Sequence, residues 1–202
     1  MRKAFHLIIC MLVMGYATRG QSSFGIKAGL NLANQDKTIS IPQVPATTLN
    51  TKPFLGYQLG LFYKTKPYNQ FSVSAEANFS VIGSGRVLTT SDGQTHNTRE
   101  KLGYLELPLI VQYSFKKIYF GIGPGVGFKL FSKITNFENS TYDISYYQAV
   151  DAAGNLLAGF KVSRKVDVNL RYSHGFVNIY KDPGYARTTN KFFNLSVLYS
   201  LK

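Results

Sequence analysis

Six charged residues fall on the polar side of alternating segments: Glu76, Glu106, Lys129, Lys161, Asp167 and Arg171. Two carboxylates and an arginine in one enclosed space make a natural set. A guanidinium fork can bridge two carboxylates, and a charge deprived of water needs a partner. Glu76 and Glu106 are therefore expected to pair with Arg171, with Lys129 or Lys161 as further partners. Such a cluster can fill and pin an interior, or it can gate a thin pore; both readings stay open at this point. Other chemistry has little to build on. Beyond the first 20 residues the histidines are His96 and His174. Ser173 precedes His174 directly, so in an extended segment the two point to opposite faces. His96 has Ser91 and Asp92 near in sequence but no evident nucleophile beside it. No His, Cys and acid cluster shows metal-ligand spacing, so neither a metal nor another cofactor is expected. Gly121, Gly123, Gly125 and Gly127 resemble a phosphate loop only superficially, since no helix pattern or Gly-Lys-Ser/Thr follows. These glycines are expected to leave space for bulky neighbours or to let a wall curve.

The segments that position these residues alternate apolar and polar side chains with a period of two, which is the pattern of a strand with two unlike faces. Eight are predicted, over 24–34, 54–64, 70–82, 101–115, 118–131, 150–162, 166–176 and 191–201. The third is the clearest: Phe71, Val73, Ala75, Ala77, Phe79 and Val81 face one way, and Ser72, Ser74, Glu76, Asn78 and Ser80 the other. Connections alternate strictly between long polar loops (35–53, 83–100, 132–149 and 177–190) and short turns. One end of the array thus carries loops and the other only hairpins. An even strand count with both ends of the chain at the hairpin side predicts an all-β fold, an eight-stranded antiparallel up-and-down transmembrane β-barrel. Pro108 and Pro124 each remove a ladder donor, so a bulge is expected near one of them.

The chain opens with Met1, Arg2 and Lys3, then an apolar run from Ala4 to Ala17, then small residues. This reads as a secretory signal peptide over residues 1–20, with Thr18 and Gly20 at −3 and −1 and the barrel domain over 21–202. The run is shorter than the ~20 residues a membrane helix needs. The only cysteine, Cys10, leaves with the leader, so no disulfide forms. Loss of Arg2, Lys3 and Arg19 lowers the formal charge from +13 to about +10. Charged residues make up 16% of the chain, fewer than the ~25% of soluble domains.

A soluble calyx would show the same periodicity with its outer face rich in Lys, Glu and Asp. Here the polar face is mostly Gly, Ser, Asn and Gln. Small polar residues suit the inside of an eight-stranded barrel, which is just wide enough for side chains to fill. The apolar face is then the one that meets lipid. Tyr57, Tyr63, Tyr113, Phe115, Tyr172, Phe192, Phe193 and Tyr199 fall near strand ends or on that face, as rings at headgroup level do.

Four segments carry a family resemblance. Tyr104-Leu105-Glu106-Leu107-Pro108-Leu109 resembles the "YLE-hydrophobic-P-hydrophobic" strand of the PorT-type outer-membrane β-barrel family of Bacteroidetes. Gly121-Ile122-Gly123-Pro124-Gly125 is similar to the glycine-rich strand that follows it there. Arg171-Tyr172-Ser173-His174-Gly175 resembles the family's "RY-x-x-G" strand, and Phe24 to Asn31 its opening strand. The resemblance covers essentially the whole mature chain. It implies a small outer-membrane barrel and leaves the biological role open, although the founding member is linked to gliding and type IX secretion.

The expectation for function is a monomeric, non-enzymatic barrel in the cell outer membrane that holds four surface loops on a rigid anchor with a side-chain-filled lumen. An accessory subunit of a PorT-like secretion or gliding system is one alternative, and a lipid A-modifying barrel enzyme is another. Expected partners are outer-membrane lipid and lipopolysaccharide, the barrel-assembly machinery during insertion, and secretion-system components under the first alternative. Two readings stay open for the basic loop residues Lys37, Lys52, Arg86, Arg99, Lys181 and Arg187: contact with anionic lipopolysaccharide, or plain solvated loop charge. The basic residues are too dispersed for nucleic acid.

Overall fold

The computed structural model describes residues 22–39, 47–49, 51–89, 95–135, 140–182, 184 and 186–201. The leader assigned to 1–20 lies outside them. Among the described residues ten antiparallel strands form one sheet: β1 (Ser23–Ile39), β2 (Thr47–Leu49), β3 (Phe54–Lys64), β4 (Phe71–Thr89), β5 (Thr95–Phe115), β6 (Ile118–Thr135), β7 (Thr141–Asp143), β8 (Val150–Lys161), β9 (Val166–Gly175) and β10 (Ala186–Ser200). Eight of them make a ring in the order β1, β3, β4, β5, β6, β8, β9, β10. It closes where β10 pairs with β1, from Gly25 opposite Ser200 to Ile39 opposite Ala186. β2 and β7 are three-residue additions to β1 and β6. The eight long strands match the eight predicted segments, and the ring is an up-and-down barrel with no free edge.

Alternation decides the faces. Leu30, Leu55, Leu59, Ile122, Leu156, Leu195 and their outward neighbours stay exposed, Leu55 at 67%. Asn31, Gln58, Asn78, Asn169, Asn194 and Ser196 are buried inside. An apolar exterior around a polar interior reverses the arrangement of a water-soluble barrel and suits a lipid environment. The apolar band runs from about Ile26 to Leu32 on β1, from Leu55 to Leu61 on β3 and from Leu105 to Tyr113 on β5. Phe192, near the strand end, is 5% exposed and points inward, while its neighbour Phe193 takes the outward position.

The strands run further than the alternation indicated. Gln35 to Ile39, 83–89, 95–100, 132–135 and 186–190 are ladder, not loop. Past the band both faces of the wall are polar, so the contrast that marks a strand in sequence disappears while the hydrogen-bonded ladder continues. Inward contacts hold the extension: Gln35 donates to Asn190 Oδ1 at 3.0 Å and accepts from Ser84 Oγ at 2.8 Å. His96, placed in a loop by its surroundings, has its backbone in β5 opposite Leu88.

The register shifts between Gly103 and Tyr104, opposite β6. It is unchanged across Pro108 and across Pro124, so the bulge lies four residues from Pro108 instead of beside either proline. The shift sits where Phe131 lies over Gly103; a Cβ there would be 2.2 Å from the Phe131 ring. At the short-turn end, Phe115 pairs with Ile118 and Lys116 takes a φ of 55° in the two-residue hairpin between them. Gly159 leaves the space into which Tyr119 is packed, 2.1 Å from where a Cβ would stand.

Candidate functional site: a barrel interior closed in three layers

The lumen is closed at three heights. At the short-turn end Ile110, Tyr119 and Leu157 form a buried apolar layer, and the Lys64 ammonium lies 4.3 Å from the Tyr119 ring centre. Asp167 and Lys161 face each other across the β8 and β9 register at this level. They are therefore not members of the central cluster, because the outermost inward positions of their strands lie near the turn.

The central layer brings together four charges from four strands. Arg171 on β9 donates to Glu76 on β4 at 3.2 Å and to Glu106 on β5 at 3.4 Å. Lys27 on β1 donates to the same Glu76 oxygen at 2.9 Å. Around the ring β4 stands opposite β9, so the Arg171 to Glu76 contact spans the barrel along a diameter, and Lys27 and Glu106 extend the network to β1 and β5. Two cations and two carboxylates make it formally neutral. Asn78, Gln58 and Ser80 complete it: Asn78 donates to Glu76 at 2.9 Å, while Gln58 and Ser80 donate to Glu106 at 3.0 and 2.8 Å. Lys27 was absent from the sequence-derived cluster. Its signal was there, on the polar face among Gly25, Gly29 and Asn31. A cavity of about 30 Å³ lies beside Tyr104, Glu106, Asp151, Asn155 and Arg171, room for one or two water molecules.

The third layer closes the long-loop end. Ala33, Ile82, Leu102, Tyr104 and Phe192 line the wall, and Ile144, Tyr147 and Ile179 fold in from the connections to fill the middle. Ile179 and Leu102 are fully buried. The two inward segments brace each other: the Gln148 amide donates to the Ile179 carbonyl at 2.7 Å, and the Lys181 amide to the Tyr146 carbonyl at 2.9 Å. Tyr146 stacks between Tyr147 and Tyr180, at 4.8 and 5.2 Å. Lys129, a candidate for the central cluster, instead donates to the Tyr147 carbonyl at 2.5 Å. It stands opposite Tyr104 at the edge of the bulge, level with the upper plug.

Above the plug is a second charged group. Lys37 on β1 donates to Glu100 on β5 at 2.5 Å, and the Tyr147 hydroxyl donates to the same carboxylate oxygen at 2.5 Å. Arg86 approaches its other oxygen at 3.9 Å. Lys37 stands five residues past Leu32, roughly 17 Å along the strand and clear of the apolar band. Burial lowers the Lys37 pKa, against the pull of Glu100. Burial and the adjacent Glu100 carboxylate both raise that of Tyr147, which keeps its proton and remains a donor. Tyr146 is pushed up to about 12, chiefly by burial.

Catalytic geometry does not assemble around His174. His174 lies on the outer side, its Nδ1 3.2 Å from the Tyr172 hydroxyl, while Ser173 points inward and donates to Asn155 at 2.6 Å. Among the described residues no three His, Cys, Asp or Glu side chains come together.

Residues 17–181 match the family described as outer membrane protein beta-barrel domain. Among solved structures the chain is similar to Neisserial surface protein A, with a TM-score of 0.53 and 11% identity over 90% of this chain and all of that one. It is also similar to the attachment invasion locus protein Ail of Yersinia pestis, with a TM-score of 0.49 and 12% identity over 90% of this chain and all of that one. OprG from Pseudomonas aeruginosa gives a TM-score of 0.44 and 11% identity over 92% of this chain and 98% of that one. At these identities the likeness is one of fold. A comparison with curated proteins gives no match.

Proposed function

The chain belongs to the outer membrane protein β-barrel domain family, and on that premise we propose that it is a non-enzymatic, monomeric anchor. Its long-loop end faces outward, its leader is cleaved, and its lumen does not conduct. The plug of Ile144, Tyr147 and Ile179 carries this reading: apolar side chains fill the mouth above a neutral, hydrogen-bonded charge layer, so what the protein does is done by the parts it displays. The central cluster is structural. It pins opposite walls of the barrel, and removing a member weakens the fold without opening a path. The PorT-type likeness of Tyr104 to Leu109 and Arg171 to Gly175 supports placing the chain with the Bacteroidetes barrels of that type.

Single-channel recording tests the closed lumen. The folded barrel in a planar bilayer is expected to give no discrete conductance, as are Glu106→Ala and Arg171→Ala. A new conductance in either variant would make the cluster a gate. Purification from native outer membranes tests the anchor role: isolation as a monomer supports it, and a stable stoichiometric protein partner moves the reading to an accessory subunit.

A further inference from the structure

The outer wall carries an asymmetry in charge just above the apolar band. On β5 the outward positions past Leu105 are Gly103, Lys101 and Arg99, and on β6 Lys133 follows Phe131. Lys101 and Lys133 stand directly opposite each other in the ladder, and Arg99 is the next outward residue on the same face. Side chains opposite each other have Cβ atoms about 5 Å apart, and like charges so placed repel. Among the described residues none of the three forms an ion pair. The carboxylates nearby do not resolve this. Glu100 points inside to Lys37, and Asp143 faces Lys133 from β7 without reaching ion-pair distance. On the opposite wall, Lys191 of β10 is half-buried at a similar height and is paired with Asp36 of β1. Among the described residues, one wall closes an ion pair at this height and the other, with three cations and Asp143, closes none.

Height identifies what would supply it. Lys101 and Lys133 lie two residues above Gly103 and Phe131, roughly 7 Å along the strand, where the hydrocarbon gives way to headgroups. Arg99 also lines a groove of about 430 Å³ with Lys52, Pro53, Phe54, Leu55 and Gly85. Cations at its rim and exposed apolar side chains at its base match a molecule with a phosphate above and an acyl chain below. We propose that Lys101, Lys133 and Arg99 form a binding site for the phosphorylated headgroup of an anionic lipid in the outer leaflet. The inference rests on the barrel's outward orientation and is independent of what its loops contact.

The test titrates the folded full-length barrel, purified in a neutral detergent, with bis-phosphorylated lipid A and counts bound lipid by native mass spectrometry. Lys101→Gln combined with Lys133→Gln is expected to weaken binding roughly tenfold or more. Lys101→Arg with Lys133→Arg is expected to retain it. Lys116→Gln with Lys117→Gln, the same charge loss at the other end, should stay within about twofold. Phosphatidylcholine should not bind, and excess inorganic phosphate should not displace the lipid, since it lacks the apolar half. Equal loss in both glutamine pairs would overturn the site in favour of diffuse attraction. Undiminished binding by the Lys101/Lys133 pair would overturn it outright, and displacement by inorganic phosphate would show a plain anion site instead.

Discussion

The barrel is crossed twice by charge, and the two crossings differ in what they are made of. Both join β1 to β5 across the lumen, through the chain Lys27, Glu76, Arg171 and Glu106 at mid-height and directly through Lys37 and Glu100 at the mouth. In the central crossing every member belongs to a wall strand, each held by ladder bonds on both sides. In the upper one the shared Glu100 oxygen also takes a proton donor from Tyr147, a residue of a connection. The central network can be lost only with the barrel. The upper one fastens a movable piece to a fixed wall, so it can fail locally while the wall stands.

Breaking the central crossing should have the largest effect. Arg171→Leu leaves Glu76 and Glu106 buried with one cation between them, and is expected to cost about 3–5 kcal/mol, read as a lower urea midpoint for the folded barrel in lipid. Adding Glu106→Gln restores neutrality through Lys27 and Glu76, and should recover part of that loss. Next comes Glu100→Ala, which strands Lys37 and frees Tyr147. A cost of about 1–3 kcal/mol is expected, confined to the mouth. A cysteine at Ile144, only 6% exposed in the closed form, should become reactive to maleimide in that background while the urea midpoint moves less than with Arg171→Leu. Equal midpoint shifts would erase the distinction between the crossings. Tyr147→Phe keeps the ring and removes the hydroxyl, so it should raise labelling of the same cysteine modestly, for about 1 kcal/mol. Least of all, Lys191→Gln breaks an exposed pair with Asp36 and should change the urea midpoint by less than about 1 kcal/mol.

The wall was readable because each strand in the band has one apolar and one polar face, and Leu55 to Tyr63 or Phe71 to Val81 state that alternation without interruption. The convergence of Glu76, Glu106 and Arg171 was readable too, since charges on inward faces of a narrow barrel have few places to go. Lys27 was harder, as one lysine among glycines looks like solvated surface until the register places it beside Glu76. Lys161 and Asp167 were misplaced because a face says nothing about height, and height depends on register between strands. The mouth was least legible. Glu100, Tyr147 and Ile179 come from separate stretches of polar sequence, and their meeting depends on ladders that continue where the apolar signal has ended.

Those continued ladders are uneven around the ring. β1, β4, β5, β6 and β10 rise well past the band, while β8 begins at Val150 and β9 ends at Gly175. The rim is therefore cut on a slant. A large molecule approaching the rim over β4 and β5 meets a stiff, hydrogen-bonded parapet. One approaching over β8 and β9 meets the braced segments around Tyr146 and Tyr180 side-on. The protein has a front and a back with respect to its neighbours in the membrane plane, and a lipid gripped at Lys101 and Lys133 would mark the back.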